Sequence, residues 1–276
     1  MIVQEISLKG SGGELAAKRW PGSGERVLAL HGWLDNAGTF DGLAPLLPET
    51  DLVCLDMPGH GLSYHRPPGV IYHFVDWVPE VFCAADALGW ERFSLLGHSM
   101  GGAIASLAAG TFAERISKLI LIEGIGPFSS PDREAPALLR KALLYRPSQG
   151  KQYYPTELAA IDRLAKRDLE RHSAEALAKR ALQKSDDGWF FSYAPEARLT
   201  SRQRLSETQV RAFLEEITCP TLLIQAKDGL KASEAYHERH KFVSNITILE
   251  LEGRHHLHLD TPEVVAQPIR EFLETP

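Results

Sequence analysis

Residues 93–96, Phe-Ser-Leu-Leu, run straight into Gly97-His98-Ser99-Met100-Gly101-Gly102 and from there into an alanine-rich stretch. A chain that passes from strand to helix through one tight bend leaves few folds open. The serine at the crest has a strained backbone and needs small neighbours, because strand and helix close on each other; Gly97 and Gly101 supply that room. The bend lifts the Ser99 hydroxyl clear of the sheet. It also aims the N-terminal amides and the positive end of the following helix at any anion formed beside the serine. Ser99 is therefore a candidate nucleophile. Gly-x-Ser-x-Gly arises readily by chance, and the strand before it and helix after it give this instance its weight.

The rest of the first half repeats that grammar. Residues 27–30, 52–55, 93–96 and 119–122 are nearly continuous apolar runs, the pattern of strands covered on both faces of a parallel sheet. Helices are expected near 39–47, over 75–88 and from Ser99 onward, giving βαβ units. Residues 2–8 and 14–20, separated by Gly10, Gly12 and Gly13, read as an antiparallel hairpin that makes the sheet mixed. From 127 to 216 no buried strand is evident and charged helical material dominates, notably over 158–184, so this stretch reads as a helical insertion. Strand and helix then alternate again: 221–226, a short helix, 246–251 and a final helix over 262–273. Charges within 163–180 read as a solvated helix face.

Composition excludes several classes. The 276 residues are 44% hydrophobic and 24% charged, enough to bury a large core, so wholesale disorder is excluded. A net charge of −6 offers no broad basic surface, and nucleic acid is not an expected partner. The first residues lack a basic stretch followed by an apolar one, and no run suits a membrane span. Cys54, Cys83 and Cys219, odd in number and far apart, suit reduced, buried thiols in a cytoplasmic protein.

A serine needs a base and an orienting acid to become a nucleophile. The base should follow the last strand, where Gly253-Arg254-His255-His256-Leu257-His258 offers three histidines. His255 stands just past the glycine turn and is the first choice, His256 the second, with His258 assigned to packing. Two acids end neighbouring strands, Glu123 after 119–122 and Asp228 after 221–226, and both stay open. His31-Gly32-Trp33-Leu34-Asp35 follows another strand end, and its turn can aim the Trp33 amide at the same point as the Met100 amide, forming an oxyanion hole. His31 itself reads as structural. The three clustered histidines lack a separated carboxylate and histidine set, so no metal is expected.

In this order, the strand leading to His31-Gly32, then Asp56-Met57-Pro58-Gly59-His60-Gly61-Leu62-Ser63, then Gly97 to Gly102, and finally the stretch from Gly253 to Pro262, resemble the α/β-hydrolase superfamily, most closely the serine hydrolase-like proteins. The resemblance implies a mostly parallel mixed central sheet flanked by helices, with a core of 1–126 and 217–276, a helical cap of 127–216 inserted after the sixth strand, and a triad that needs no cofactor. Two departures matter. Asp228 lies one residue closer to the last aliphatic residue of its strand than the superfamily pattern has its acid, whereas Glu123-Gly124-Ile125-Gly126-Pro127 resembles the haloalkane dehalogenase variant with a glutamate after the sixth strand. Those dehalogenases and epoxide hydrolases use an aspartate nucleophile, and Ser99 argues against both activities.

The expectation is thus a carboxylesterase-like serine hydrolase, a monomer or homodimer, acting on a small to medium, partly apolar acyl substrate. Cap aromatics, Tyr153, Tyr154, Trp189, Phe190, Phe191 and Tyr193, are candidates to line the pocket, at least half of them as ordinary core. Carbon–carbon bond hydrolysis, lyase chemistry and perhydrolysis on the same triad are rivals, as is a ligand receptor whose chemistry is lost.

Overall fold

Apolar residues without alternation must be covered on both sides, because each aliphatic side chain left in water forgoes about 1.5–3 kcal/mol of burial. The computed structural model, which describes residues 2–144, 151–167, 169–199 and 201–275, meets that demand with one eight-stranded sheet between two cores. Its strands are β1 (Gln4–Lys9), β2 (Glu14–Trp20), β3 (Arg26–Leu30), β4 (Asp51–Leu55), β5 (Phe93–His98), β6 (Ile116–Ile122), β9 (Thr221–Asp228) and β10 (Ile246–Arg254). They lie in the order β1-β2-β4-β3-β5-β6-β9-β10. The β1–β2 and β2–β4 pairs are antiparallel and the rest parallel. Leu28, Leu30, Leu95 and Leu121 enter one core; Val27, Ala29, Leu96 and Ile122 enter the other.

The helix α1 (Val78–Ala87) starts three residues later than 75, after a 3₁₀ turn over Phe74–Trp77, with Pro79 in its first turn, where its missing N–H costs nothing. The expected helix at 39–47 is instead two 3₁₀ turns, Ala37–Phe40 and Ala44–Leu46. Gly42 between them and Pro45 inside the second break any longer i→i+4 ladder. Helix α2 (Met100–Thr111) begins at the bend after β5, and its alanines are buried against the sheet.

Between β6 and β9 lie α3 (Ala135–Leu144), α4 (Glu157–Ala165), α5 (Arg171–Ala181), a ribbon of β7 (Leu182–Ser185) with β8 (Gly188–Phe191), and α6 (Glu207–Glu215). The ribbon was not expected within a helical stretch. Gln183 and Lys184 point to solvent, so β7 reads like a continuation of α5, while Phe190 and Phe191 do the burying. Ile161, Leu164, Leu177 and Phe191 form a third core, joined by Leu259. Val210 and Leu214 of α6 pack into the main core instead. Polar bonds tie this region down: Asn36 Nδ2 donates to the Leu177 carbonyl (3.0 Å) and Arg180 pairs with Asp56 (2.8 Å).

Two short helices, α7 (Glu234–His237) and α8 (Leu257–Asp260), precede the closing α9 (Pro262–Glu274). Cys54 and Cys219 are buried, whereas Cys83, on α1, is half-buried, and all three are unpaired thiols. Among the described residues no helix is long and apolar enough to cross a membrane.

Candidate active site

Among the described residues three non-glycine ones have left-handed backbones, Leu34 (φ 62°), Ser99 (φ 52°) and Glu123 (φ 55°). All three follow the C-terminal ends of the adjacent central strands β3, β5 and β6, Ser99 and Glu123 directly and Leu34 a few residues on. Such conformations cost about 1–3 kcal/mol each and persist only where surroundings enforce them. At Ser99 the enforcement is close packing. A Cβ on Gly101 would stand 2.0 Å from the Leu30 carbonyl oxygen, and the Ser99 amide donates to the Ile122 carbonyl (2.9 Å).

His255 follows Gly253 (φ 137°), where the register of β10 against β9 shifts between Leu251 and Arg254. That irregularity turns the chain back over the strand ends. The Ser99 hydroxyl meets His255 Nε2 at 2.9 Å, and His255 Nδ1 donates to Glu123 Oε2 at 3.2 Å. A carboxylate on Nδ1 fixes the tautomer that leaves Nε2 free to accept the serine proton. The buried Glu123 carboxylate also accepts from the Ala226 amide at Oε1 and the Leu230 amide at Oε2, both 2.6 Å. It is thereby held as an acceptor.

Of the two open acids, the structure brings Glu123 to His255 and not Asp228. Asp228 is exposed at the end of β9, beside Arg254 in the ladder. The chain turns at Gly229 so that the Ala226 and Leu230 amides face the Glu123 carboxylate. A Cβ on Gly229 would be 2.2 Å from Glu123 Oε2, so this turn wraps the glutamate and leaves the aspartate side chain outside.

The other histidines surround His255. His256 Nε2 lies 3.3 Å from Asp35 Oδ2, and His258 Nε2 lies 2.8 Å from Thr39 Oγ1. His98, which sequence reasoning passed over as a neighbour of Ser99, donates from Nε2 to the His255 carbonyl (2.9 Å) and so pins the loop that carries His255. Burial, then the neighbouring imidazoles, push His98 and His258 well below the ordinary histidine value, keeping them neutral. Burial pushes Asp35 up, yet the hydrogen bond and charge of His256, with Arg167 and His31, outweigh it and hold the carboxyl below its usual range. Asp35, His98 and His256 bring one ligand atom each within 4.8 Å of one another and could hold a divalent ion; the Asp35–His256 bond gives them a role without one. His31 accepts from the Met57 amide at Nε2 (3.0 Å) and donates from Nδ1 to the Gly32 carbonyl (2.7 Å), a structural role.

Trp33 and Met100 line the same cavity as Ser99, and among the described residues neither backbone amide donates to a protein acceptor. Two free donors beside a hydroxyl suit a developing oxyanion. The cavity is about 730 Å³, and its aromatic walls are Trp33, Tyr72, Phe74, Trp77, Phe128 and Tyr236. None of Tyr153, Tyr154, Trp189, Phe190, Phe191 or Tyr193 lines it. Five of those rings pack on each other instead, Tyr153 on Phe190, Tyr154 on Phe191 and Phe191 on Tyr193, because the ribbon and α4 need a core of their own.

Residues 25–262 match the α/β hydrolase fold family, to which this chain belongs. Within that class it is similar to serine hydrolase-like proteins. One from Danio rerio is 34% identical over 279 residues, covering 95% of this chain and 86% of the relative. Serine hydrolase-like protein 2 from Homo sapiens is 31% identical over 300 residues, covering 99% and 95%. The crystal structure of a hypothetical protein from Pseudomonas aeruginosa PAO1 superposes with a TM-score of 0.91 at 35% identity, covering all of both chains.

Proposed function

We propose that this chain is a serine hydrolase that cleaves ester or related acyl bonds through a Ser99-His255-Glu123 triad and an acyl-enzyme. The observation that carries the proposal is the unbroken chain of contacts from Ser99 Oγ to His255 Nε2 (2.9 Å) and from Nδ1 to Glu123 (3.2 Å), opening on an apolar cavity. His255 takes the Ser99 proton as the hydroxyl oxygen bonds to the acyl carbon. The carbonyl oxygen becomes an oxyanion held by the Trp33 and Met100 amides. Glu123 keeps the imidazolium oriented and offsets its charge. When the tetrahedral adduct collapses, His255 returns the proton to the leaving group; water, deprotonated by the same histidine, then releases the acid.

The part of residues 127–216 that precedes α6 serves as a lid over the mouth. Phe128, Leu199 and Leu205 from this region line the cavity, and Arg167 reaches from it to the Trp33 carbonyl (3.1 Å), tying the lid to the oxyanion loop. A small to medium, partly apolar acyl group fits these walls.

The test is hydrolysis of a short p-nitrophenyl ester by the purified wild type and by Ser99→Ala. Turnover that falls at least about 10³-fold in the variant supports the reading. Equal rates in the two proteins would remove Ser99 from the chemistry.

A further inference from the structure

The cavity walls are apolar, yet its solvent end is not neutral. Arg198 and Arg204 line the cavity and are exposed, so they stand at its rim, while Glu123 is buried at its floor. Among the described residues neither guanidinium has a carboxylate bonded to it. The two acids that also line the cavity are engaged elsewhere. Asp76 is paired with Arg66 (2.7 Å), and Glu123 is filled by two amides and His255. Ser201 and Gln203, on the same strip of chain as the arginines, add further hydrogen-bond donors to the rim.

A chain of net charge −6 thus presents two arginines, neither bonded to a carboxylate, at the entrance to its apolar cavity. Guanidinium groups bind carboxylate and phosphate oxygens through paired N–H donors. A substrate with its scissile carbonyl at Ser99 and an apolar stem along Tyr72, Phe74 and Trp77 would bring its far end to this rim. Resting on the serine hydrolase reading above, we infer that the substrate is amphipathic and carries an anionic group, carboxylate or phosphate, which Arg198 and Arg204 hold at the rim.

The anion can sit on the acyl part or on the leaving group, and two matched pairs, one of esters and one of thioesters, separate these sources. Monomethyl adipate against methyl heptanoate places a carboxylate on the acyl chain. Hexanoyl-coenzyme A against hexanoyl-N-acetylcysteamine places phosphates on the leaving group. The expected result is a kcat/KM ratio of about tenfold or more in favour of the anionic member of one pair at low salt. That ratio should shrink in 1 M NaCl, because charges at an exposed rim are screened. It should also fall about tenfold in Arg198→Gln/Arg204→Gln, whose changes lie at the surface and spare the fold.

Ratios within twofold of unity for both pairs, or a preference that survives the double substitution, would overturn the inference. Calorimetric titration of the same four ligands into Ser99→Ala reads binding without turnover. Ester hydrolysis without charge preference defeats this inference and leaves the serine hydrolase reading standing. Arginine-dependent binding of the anionic ligands by a chain that hydrolyses none of them does the reverse.

Discussion

Replacing Glu123 by glutamine tests the acid against Asp228 with almost no change in volume. Glu123 faces three donors: the Ala226 amide at Oε1, and the Leu230 amide and His255 Nδ1 at Oε2. A glutamine has one acceptor oxygen and one NH₂. With its oxygen in the Oε2 position, the NH₂ is set against the Ala226 N–H; a buried donor left without an acceptor costs about 1–3 kcal/mol. With its NH₂ there instead, it opposes the Leu230 amide and drives His255 to the tautomer protonated at Nε2, which cannot accept the Ser99 proton. In a comparable triad the wrong tautomer costs about 10⁴ in kcat, or about 5 kcal/mol of barrier at ~1.4 kcal/mol per tenfold. Glu123→Gln should therefore lose 10³- to 10⁴-fold in p-nitrophenyl ester turnover, on the order of that triad value. Asp228→Asn, at the exposed end of β9, should stay within about twofold of wild type and within about 0.5 kcal/mol in stability. Circular dichroism and a urea midpoint confirm that each variant is folded. Loss of activity in Asp228→Asn with retention in Glu123→Gln would refute the assignment.

Acid should weaken the fold through its buried histidines. Burial, then the neighbouring His31, pushes His60 down to about 3 from an ordinary 6.5, so between those values the unfolded chain binds a proton that the folded one refuses. Stability is intact above pH 6.5 and falls as pH drops toward 3. At pH 4.5 this one residue contributes a loss of about 3 kcal/mol, and His60→Gln should flatten the urea midpoint against pH by a comparable amount; a wild-type midpoint unchanged from pH 7 to 4.5 would contradict this. Arg239→Met should lower Tm by about 5–10 °C, since it removes two bonds to Glu207 (2.8 and 2.7 Å) and one to the Ile125 carbonyl (2.9 Å) just past Glu123. A Tm within 1 °C of wild type, on the order of a neutral surface change, would show that the pair contributes little. Gly101→Ala should abolish ester turnover and lower Tm together, because its methyl would stand 2.0 Å from the Leu30 oxygen; a fully active variant would mean that the bend at Ser99 has room to spare.

The parallel strands were legible because residues covered on both faces cannot alternate, and Gly97 to Gly101 marked the bend because close backbones exclude side chains. What the sequence left undecided turns on geometry that no spacing encodes. Glu123 and Asp228 end adjacent strands and look equivalent in one dimension. Only the turn at Gly229, which swings two amides inward, separates them. The pocket walls were misjudged because an aromatic in an insertion can face either the cavity or the insertion's own core. Phe191 serves the latter, and the cavity draws Tyr72, Phe74 and Trp77 from the loop before α1 and its 3₁₀ turn. His98 went unnoticed beside a louder motif. Its contact is with a backbone carbonyl 157 positions away, which no local pattern announces.

The most direct measurement is reaction of the folded protein with a fluorophosphonate, read by intact mass and peptide mapping. One adduct per chain is expected, on Ser99, with a labelling rate that collapses in His255→Ala. A folded chain that stays unlabelled, or an adduct on a different serine, would contradict it.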